Sequence, residues 1–128
     1  MIPATLADYV PRLREANDDI WRVRIVCHEF GLRWEDTPLH QRLGLVELEP
    51  EPIGAAWDAF LAAYVEYRCC HDRLAAPAWV FNERRYLDGY WFPFPAKWEA
   101  FRVEAMVYAP AAFEAHGTLI AERELMVV

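Results

Sequence analysis

The 128-residue chain is expected to be mostly α: a single compact helical bundle carrying one long aromatic and proline-rich loop. Three observations lead there. Apolar residues recur at helical spacing over 20–30, 53–74 and 97–108. Between the last two segments, Pro77 to Trp98 holds eight aromatic side chains, namely Trp79, Phe81, Tyr86, Tyr90, Trp91, Phe92, Phe94 and Trp98, with Pro77, Pro93 and Pro95 setting the backbone. The length suits one domain with one core, and a hydrophobic fraction of 55% excludes disorder.

Element by element, Leu6, Tyr9, Val10 and Leu13 share a helical face behind a Thr5 cap, with a break or kink at Pro11. Asn17-Asp18-Asp19 starts a second helix whose stripe is Ile20, Val23, Cys27 and Phe30, and Gly31 is placed to end it in a left-handed cap. Residues 34–44 read as a connector with one short helix, Pro38 to Leu43. The run Glu47 to Pro52 (E-L-E-P-E-P) excludes helix and marks an internal break at 47–52, with neither half large enough for a separate domain.

The strongest helix is Ile53 to Leu74, with Trp57, Phe60, Leu61 and Tyr64 on one face and Asp58, Glu66 and Asp72 mainly elsewhere. A turn of helix is expected within 82–87. Lys97 to Tyr108 is the second strong helix, with Trp98, Phe101, Ala105 and Tyr108 as its stripe, and the bundle is expected to be built around these two. Pro110 opens a short helix, Gly117 ends it, and 118–121 is extended before a last turn at 122–126.

Composition removes several function classes. No serine is present, so serine-nucleophile chemistry is excluded, and no glycine-rich phosphate cradle exists. A formal charge of −7 argues against a free-standing nucleic-acid binder, which needs a cationic face. Two local basic groups stand against that: Arg84-Arg85 among aromatic rings, and Arg12, Arg14, Arg22 and Arg24. Three cysteines do not close a disulfide set, and the first eight residues lack a signal-peptide pattern, so a cytoplasmic protein without a membrane span is expected.

Cys27, His28, Cys69, Cys70 and His71 are the candidate metal ligands, but helical neighbours diverge by about 100° and no C-x-x-C occurs, so no metal or other cofactor is expected. Cys27 with His28 makes a poor catalytic dyad for the same reason. The glutamate pairs Glu99/Glu104 and Glu122/Glu124 read as a solvated face. His40 and His116 read as surface or internally satisfied residues.

The aromatic segment therefore has two readings. It plugs the core between the two strong helices, or it presents a protein-binding surface, since Tyr, Trp and Arg dominate interface hot spots. Tyr90, Trp91, Phe92 and Phe94 are the candidate anchors, with Arg84 and Arg85 orienting a partner.

The order Pro77-Ala78-Trp79, Arg85-Tyr86-Leu87-Asp88, Trp91-Phe92-Pro93 and Ala109-Pro110-Ala111-Ala112-Phe113, preceded by Pro50-Glu51-Pro52 and Trp57-Asp58-Ala59-Phe60-Leu61, resembles a family of small actinobacterial helical proteins. Members follow the pattern P-A-W, R-x-L-D, W-F-P, P-A-A-F, and are often encoded beside a nucleotidyltransferase-like toxin. The resemblance implies an antitoxin: a non-enzymatic protein that binds and neutralises a partner enzyme, with such a toxin as the partner. Where the family carries a basic run after P-A-A-F, this chain has Glu114-Ala115-His116-Gly117, which removes support for a nucleic-acid role. The alternatives are a component of a DNA-associated transcriptional regulator, faced by the Arg12–Arg24 region, and a zinc-stabilised small domain.

Overall fold

A computed structural model describes residues 4–126, so residues 1–3 and 127–128 of the expected domain lie outside the described residues. The fold is mostly helical, as expected, and its one β feature among the described residues is an isolated parallel bridge between Trp91 and Thr118.

Thr5 takes the N-cap position of a 3₁₀ turn, Leu6–Tyr9, which Asp8 closes by accepting the Thr5 backbone N–H at 3.0 Å. The turn changes to α1 (Val10–Glu15) at Pro11, where a missing N–H has no helical partner to lose. Asp18 caps α2 (Asp19–Val23) by accepting the Trp21 N–H at 2.8 Å.

Gly31 does not end this helix. The chain runs through widened π-type turns at Arg24–Phe30 directly into α3 (Gly31–Asp36), with Gly31 right-handed at φ −58°. Glycine permits a left-handed cap without requiring one. Here the fully buried Trp34, whose indole N–H reaches Asp72 Oδ2 at 2.7 Å, carries the helix one turn further into the core.

After a 3₁₀ segment at Leu39–Leu45, the proline-rich stretch crosses the surface as an extended strap. It is not a domain boundary, because one core cluster joins Leu6, Phe30, Trp57, Phe94 and Leu125 across it. Trp79 donates to the Val46 carbonyl at 2.8 Å and Arg14 to the Pro52 carbonyl at 2.7 Å, which fastens the strap.

The strap leads into α4 (Ala55–His71), the centre of the molecule. Every residue from 57 to 65 is buried, so α4 is surrounded rather than amphipathic. Ala59, Ala62 and Ala63 let neighbours approach closely, while Phe60, Leu61 and Tyr64 fill the gaps. Each such large side chain contributes about 1.5–3 kcal/mol on burial.

The helix stops at a Schellman turn: Leu74 N–H bonds to Cys69 O at 2.7 Å and Arg73 N–H to Cys70 O at 3.2 Å. Arg73 takes the left-handed position, at φ 60°, that glycine usually fills. The same turn ends α6 (Ala111–His116), with Gly117 at φ 85° in the equivalent place. Pro110 precedes α6, and the chain passes through Thr118 to a last 3₁₀ turn at Glu122–Leu125.

The second strong helix, α5 (Glu99–Tyr108), is where the expectation changes most. It is not a partner of α4 in the core; it lies at the edge, with Ala105 its one buried residue. Phe101 packs on Phe94 and Trp98, but Tyr108 of the expected inner stripe is largely exposed. The bundle is therefore built around α4, with α6 and the turns Ala78–Phe81 and Glu83–Arg85 against it.

Candidate partner-binding surface

The aromatic segment divides between core and surface. Trp79 is buried beneath Arg85, whose guanidinium lies 4.7 Å from the indole centroid. Phe94 is also buried, stacked parallel to Trp98 with ring centroids 6.0 Å apart. Trp91, Phe92 and Trp98 are half-buried, while Phe81, Tyr86 and Tyr90 are exposed, Tyr90 at 66%.

Local backbone bonds hold the surface part. Leu87 N–H bonds to His116 O at 3.1 Å, Trp91 N–H to Gly117 O at 2.8 Å, and Leu119 N–H to Trp91 O at 2.8 Å. Gly117 is required at this crossing: a Cβ there would stand 2.6 Å from the Gly89 carbonyl oxygen, and its φ is left-handed. Tyr86 stacks on the buried His116 ring at 4.2 Å. His116 bridges the Arg85 carbonyl, at 2.8 Å from Nδ1, and the Glu66 carboxylate, at 2.8 Å from Nε2. Segment 85–91 is thereby tied to both α4 and α6.

Beyond it, Trp91, Phe92, Pro93, Phe94 and Pro95 form one wall of a cavity of about 290 Å³, faced by Asp18, Asp19, Ile20 and Arg102. Arg102 lies 4.9 Å from the Phe92 ring centroid and donates to the Phe94 carbonyl through Nε at 3.1 Å and Nη2 at 2.7 Å. Asp19 Oδ1 accepts from Trp57 Nε1 at 2.8 Å and from Arg22 at 3.0 Å. Trp91 meets Trp57 edge-on at 5.6 Å. The result is an aromatic groove with a pair of fixed carboxylates on its rim.

Two of the six candidate interface residues are corrected by burial. Phe94 is a core residue. Arg85 has no exposed surface, and donates instead to Asp58 O at 3.0 Å, Pro50 O at 3.0 Å and Glu49 Oε2 at 2.9 Å, clamping the strap to α4. Burial presses the Arg85 pKa down, opposed by the adjacent Glu49 charge. Arg84 is half-exposed, but pairs with Glu49 at 2.5 Å and Asp58 at 3.3 Å. Partial burial raises the Glu49 pKa, yet the hydrogen bond from Arg85 and the charges of Arg84 and Arg85 outweigh it and hold the carboxyl below its usual range. Of the other candidate anchors, Tyr90 is exposed and Trp91 and Phe92 are half-buried.

The cysteines are also accounted for. Cys27 and Cys69 are buried, on the π-type segment and on α4, and Cys70 is exposed. Burial pushes the Cys27 thiol far up and the Cys69 thiol up to about 11, away from thiolate chemistry. Among the described residues no three His, Cys, Asp or Glu side chains gather as a metal site, and exposed His71 lies 3.4 Å from Asp72 and beside the Tyr67 ring.

The basic stretch near the N-terminus is largely engaged: Arg12 with Glu29 at 2.5 Å, Arg14 with the strap, and Arg22 with Asp19 and two carbonyls. Among the described residues no helix is long and apolar enough to cross a membrane.

Sequence reasoning passed over Asp58, Glu49 and Asp18/Asp19 as site-building residues. Asp58 is buried in the first turn of α4, where its Oδ1 accepts the Ile53 N–H at 2.8 Å, and its position near a helix start was the available signal. No protein-family model, curated protein or solved structure matches the chain.

Proposed function

We propose that this chain is a non-catalytic, antitoxin-like binding protein of the cytoplasm, and that it neutralises a partner enzyme by covering a basic cleft on it. The observation that carries the reading is Tyr90. Its side chain is two-thirds exposed, yet the backbone beside it is fixed by the Trp91–Thr118 bridge and the Leu87–His116 hydrogen bond. An exposed aromatic on an ordered backbone loses little entropy on binding, which is what an interface anchor requires.

The groove next to it supports the same reading. Trp91 and Phe92 offer apolar surface, and Asp18 and Asp19 put negative charge at its rim. With a net charge of −7, the chain is steered toward a cationic surface of the kind that holds nucleotide phosphates. A nucleotidyltransferase-like toxin, the partner implied by the motif resemblance, presents that chemistry.

The test is co-expression with the protein encoded by the adjacent gene. The reading expects restored growth and a stoichiometric complex on gel filtration, both lost in Tyr90→Ala while the melting temperature stays unchanged. Unrelieved toxicity with no complex is the contrary result.

A further inference from the structure

We propose that the outward face of α5, with the cleft beside it, is a second docking surface, suited to an amphipathic helix of another protein with cationic flanks. The inner side of α5 carries Ala105 and Phe101. Val103 and Val107 sit about half a turn away, on the opposite side, with Met106 next to them; Tyr108 closes the Ala105 side at the helix end, where it is exposed. All four are more than half exposed, Met106 at 69% and Val107 at 67%. Residues spaced i, i+3, i+4 and apolar normally face a core; here they face outward. Met in such a stripe adapts to varied partners.

A shallow, open depression lies along this face, formed by α5 alone through Glu99, Ala100, Val103, Glu104, Val107 and Tyr108. A cleft of about 320 Å³ lies between α5 and the Glu122–Leu125 turn and shares Glu104 and Tyr108 with that depression. Together they make one continuous surface, an open apolar helix face bordered on one side by the cleft against the Glu122–Leu125 turn, along which a second helix can lie.

Charge decides the occupant. The ionisable groups along it are Glu99, Glu104, Glu122 and Arg123; Arg123 is paired with Glu104, which leaves Glu99 and Glu122 as two uncompensated negative charges. A second copy of this chain fits poorly: twofold pairing sets these negative charges against their own copies. A ten-residue helix is also about 15 Å long, too short to bury the roughly 800 Å² per partner of a stable dimer by itself. A partner with an apolar stripe and Lys or Arg on either side satisfies both the apolar face and the charges beside it. Because Val103 and Val107 point away from the loop groove, this proposal goes beyond the proposed function and does not depend on it.

The experiment uses the full chain and two labelled 18-residue helical peptides with the same leucine stripe, one flanked by lysine and one by glutamate, read by fluorescence anisotropy. The lysine peptide is expected to bind, at least tenfold tighter than the glutamate peptide. Val107→Asp and, separately, Val103→Asp are each expected to weaken it at least tenfold. Both substitutions add negative charge, so attraction by charge alone would strengthen binding instead. Tyr90→Ala is expected to leave the peptide affinity unchanged. Equal binding of both peptides, no binding, or unaltered affinity in both aspartate variants overturns the proposal. So does a dimer in sedimentation velocity that Val107→Asp dissociates, which would assign the face to a second copy. Loss of the peptide in Tyr90→Ala alone would move its binding to the loop groove and leave α5 without a role.

Discussion

Arg85 and Glu49 form an ion pair in which the guanidinium has no exposed surface and the carboxylate oxygen lies 2.9 Å away, joining the extended strap to the turn that follows α4. The pair explains why two adjacent arginines among aromatic rings are not both available to a partner. Arg85 lies over Trp79 and is bound to two backbone carbonyls, so its role is architectural.

Removing its partner is therefore costly. Glu49→Ala leaves a buried guanidinium without its counter-charge, and a loss of about 3 kcal/mol is expected. The low end applies because Glu49 is one-third exposed and the two carbonyls remain. Urea denaturation measures it as a lower midpoint with an unchanged slope.

Acid acts on the same pair. Glu49 and Asp72 both have pKa values held down in the folded protein. For Asp72, burial opposes this, but hydrogen bonds from Trp34 and Arg42 outweigh it. A depressed folded pKa means that the unfolded chain takes up protons first as pH falls. The stabilisation is fully present above the ordinary carboxylate range near about 4, and is lost progressively as pH falls through that range toward the folded values. Melting temperatures recorded from pH 7 to 3 should fall in the lower part of that span. Glu49→Gln should start lower at pH 7 and decline less steeply.

The two Schellman turns give opposite expectations for glycine. Arg73 holds a left-handed conformation without being glycine, so Arg73→Gly is expected to stabilise the protein by up to about 1 kcal/mol. Gly117→Ala combines the left-handed strain with a Cβ 2.6 Å from Gly89 O, and a loss of more than about 2 kcal/mol is expected. Thermal melts of the two variants should move in opposite directions.

Tyr90 and Phe94 separate surface from core within one loop. Tyr90→Ala is expected to change stability by less than about 0.5 kcal/mol. Phe94→Ala, which empties a site packed by Trp98 and Phe101, is expected to cost about 3 kcal/mol or more. Denaturant titration of both variants checks this.

The helical class, the shared face of Trp57, Phe60, Leu61 and Tyr64 and the stop at Gly117 were legible because periodicity and punctuation are local; the division of the aromatic segment was not, because ring density does not say which rings are covered. What was not legible depended on neighbours. Periodicity marks an apolar face on α4 and on α5 alike, but it does not say that α4 is covered on all sides while α5 covers nothing with Val103 and Val107. Alanines 59, 62 and 63 are weakly hydrophobic in sequence and are buried through the approach of other elements. Gly31 reads as a stop until Trp34 is seen in the core, and no glycine marks the left-handed turn at Arg73. Arg85 looks like surface until Glu49, 36 positions earlier, is placed beside it. Of the candidate site, ring density singles out the segment that holds Tyr90, Trp91 and Phe92 but not which of its rings are exposed, and Asp18 and Asp19 reach the groove only through tertiary packing.

The most direct test of the binding role is the affinity of the purified chain for the purified product of the adjacent gene, measured by calorimetry with wild type and Tyr90→Ala side by side. The account predicts one-to-one binding, weakened at least tenfold by Tyr90→Ala with no change in melting temperature. Absence of any heat with the wild-type chain, or equal affinity for both forms, contradicts it.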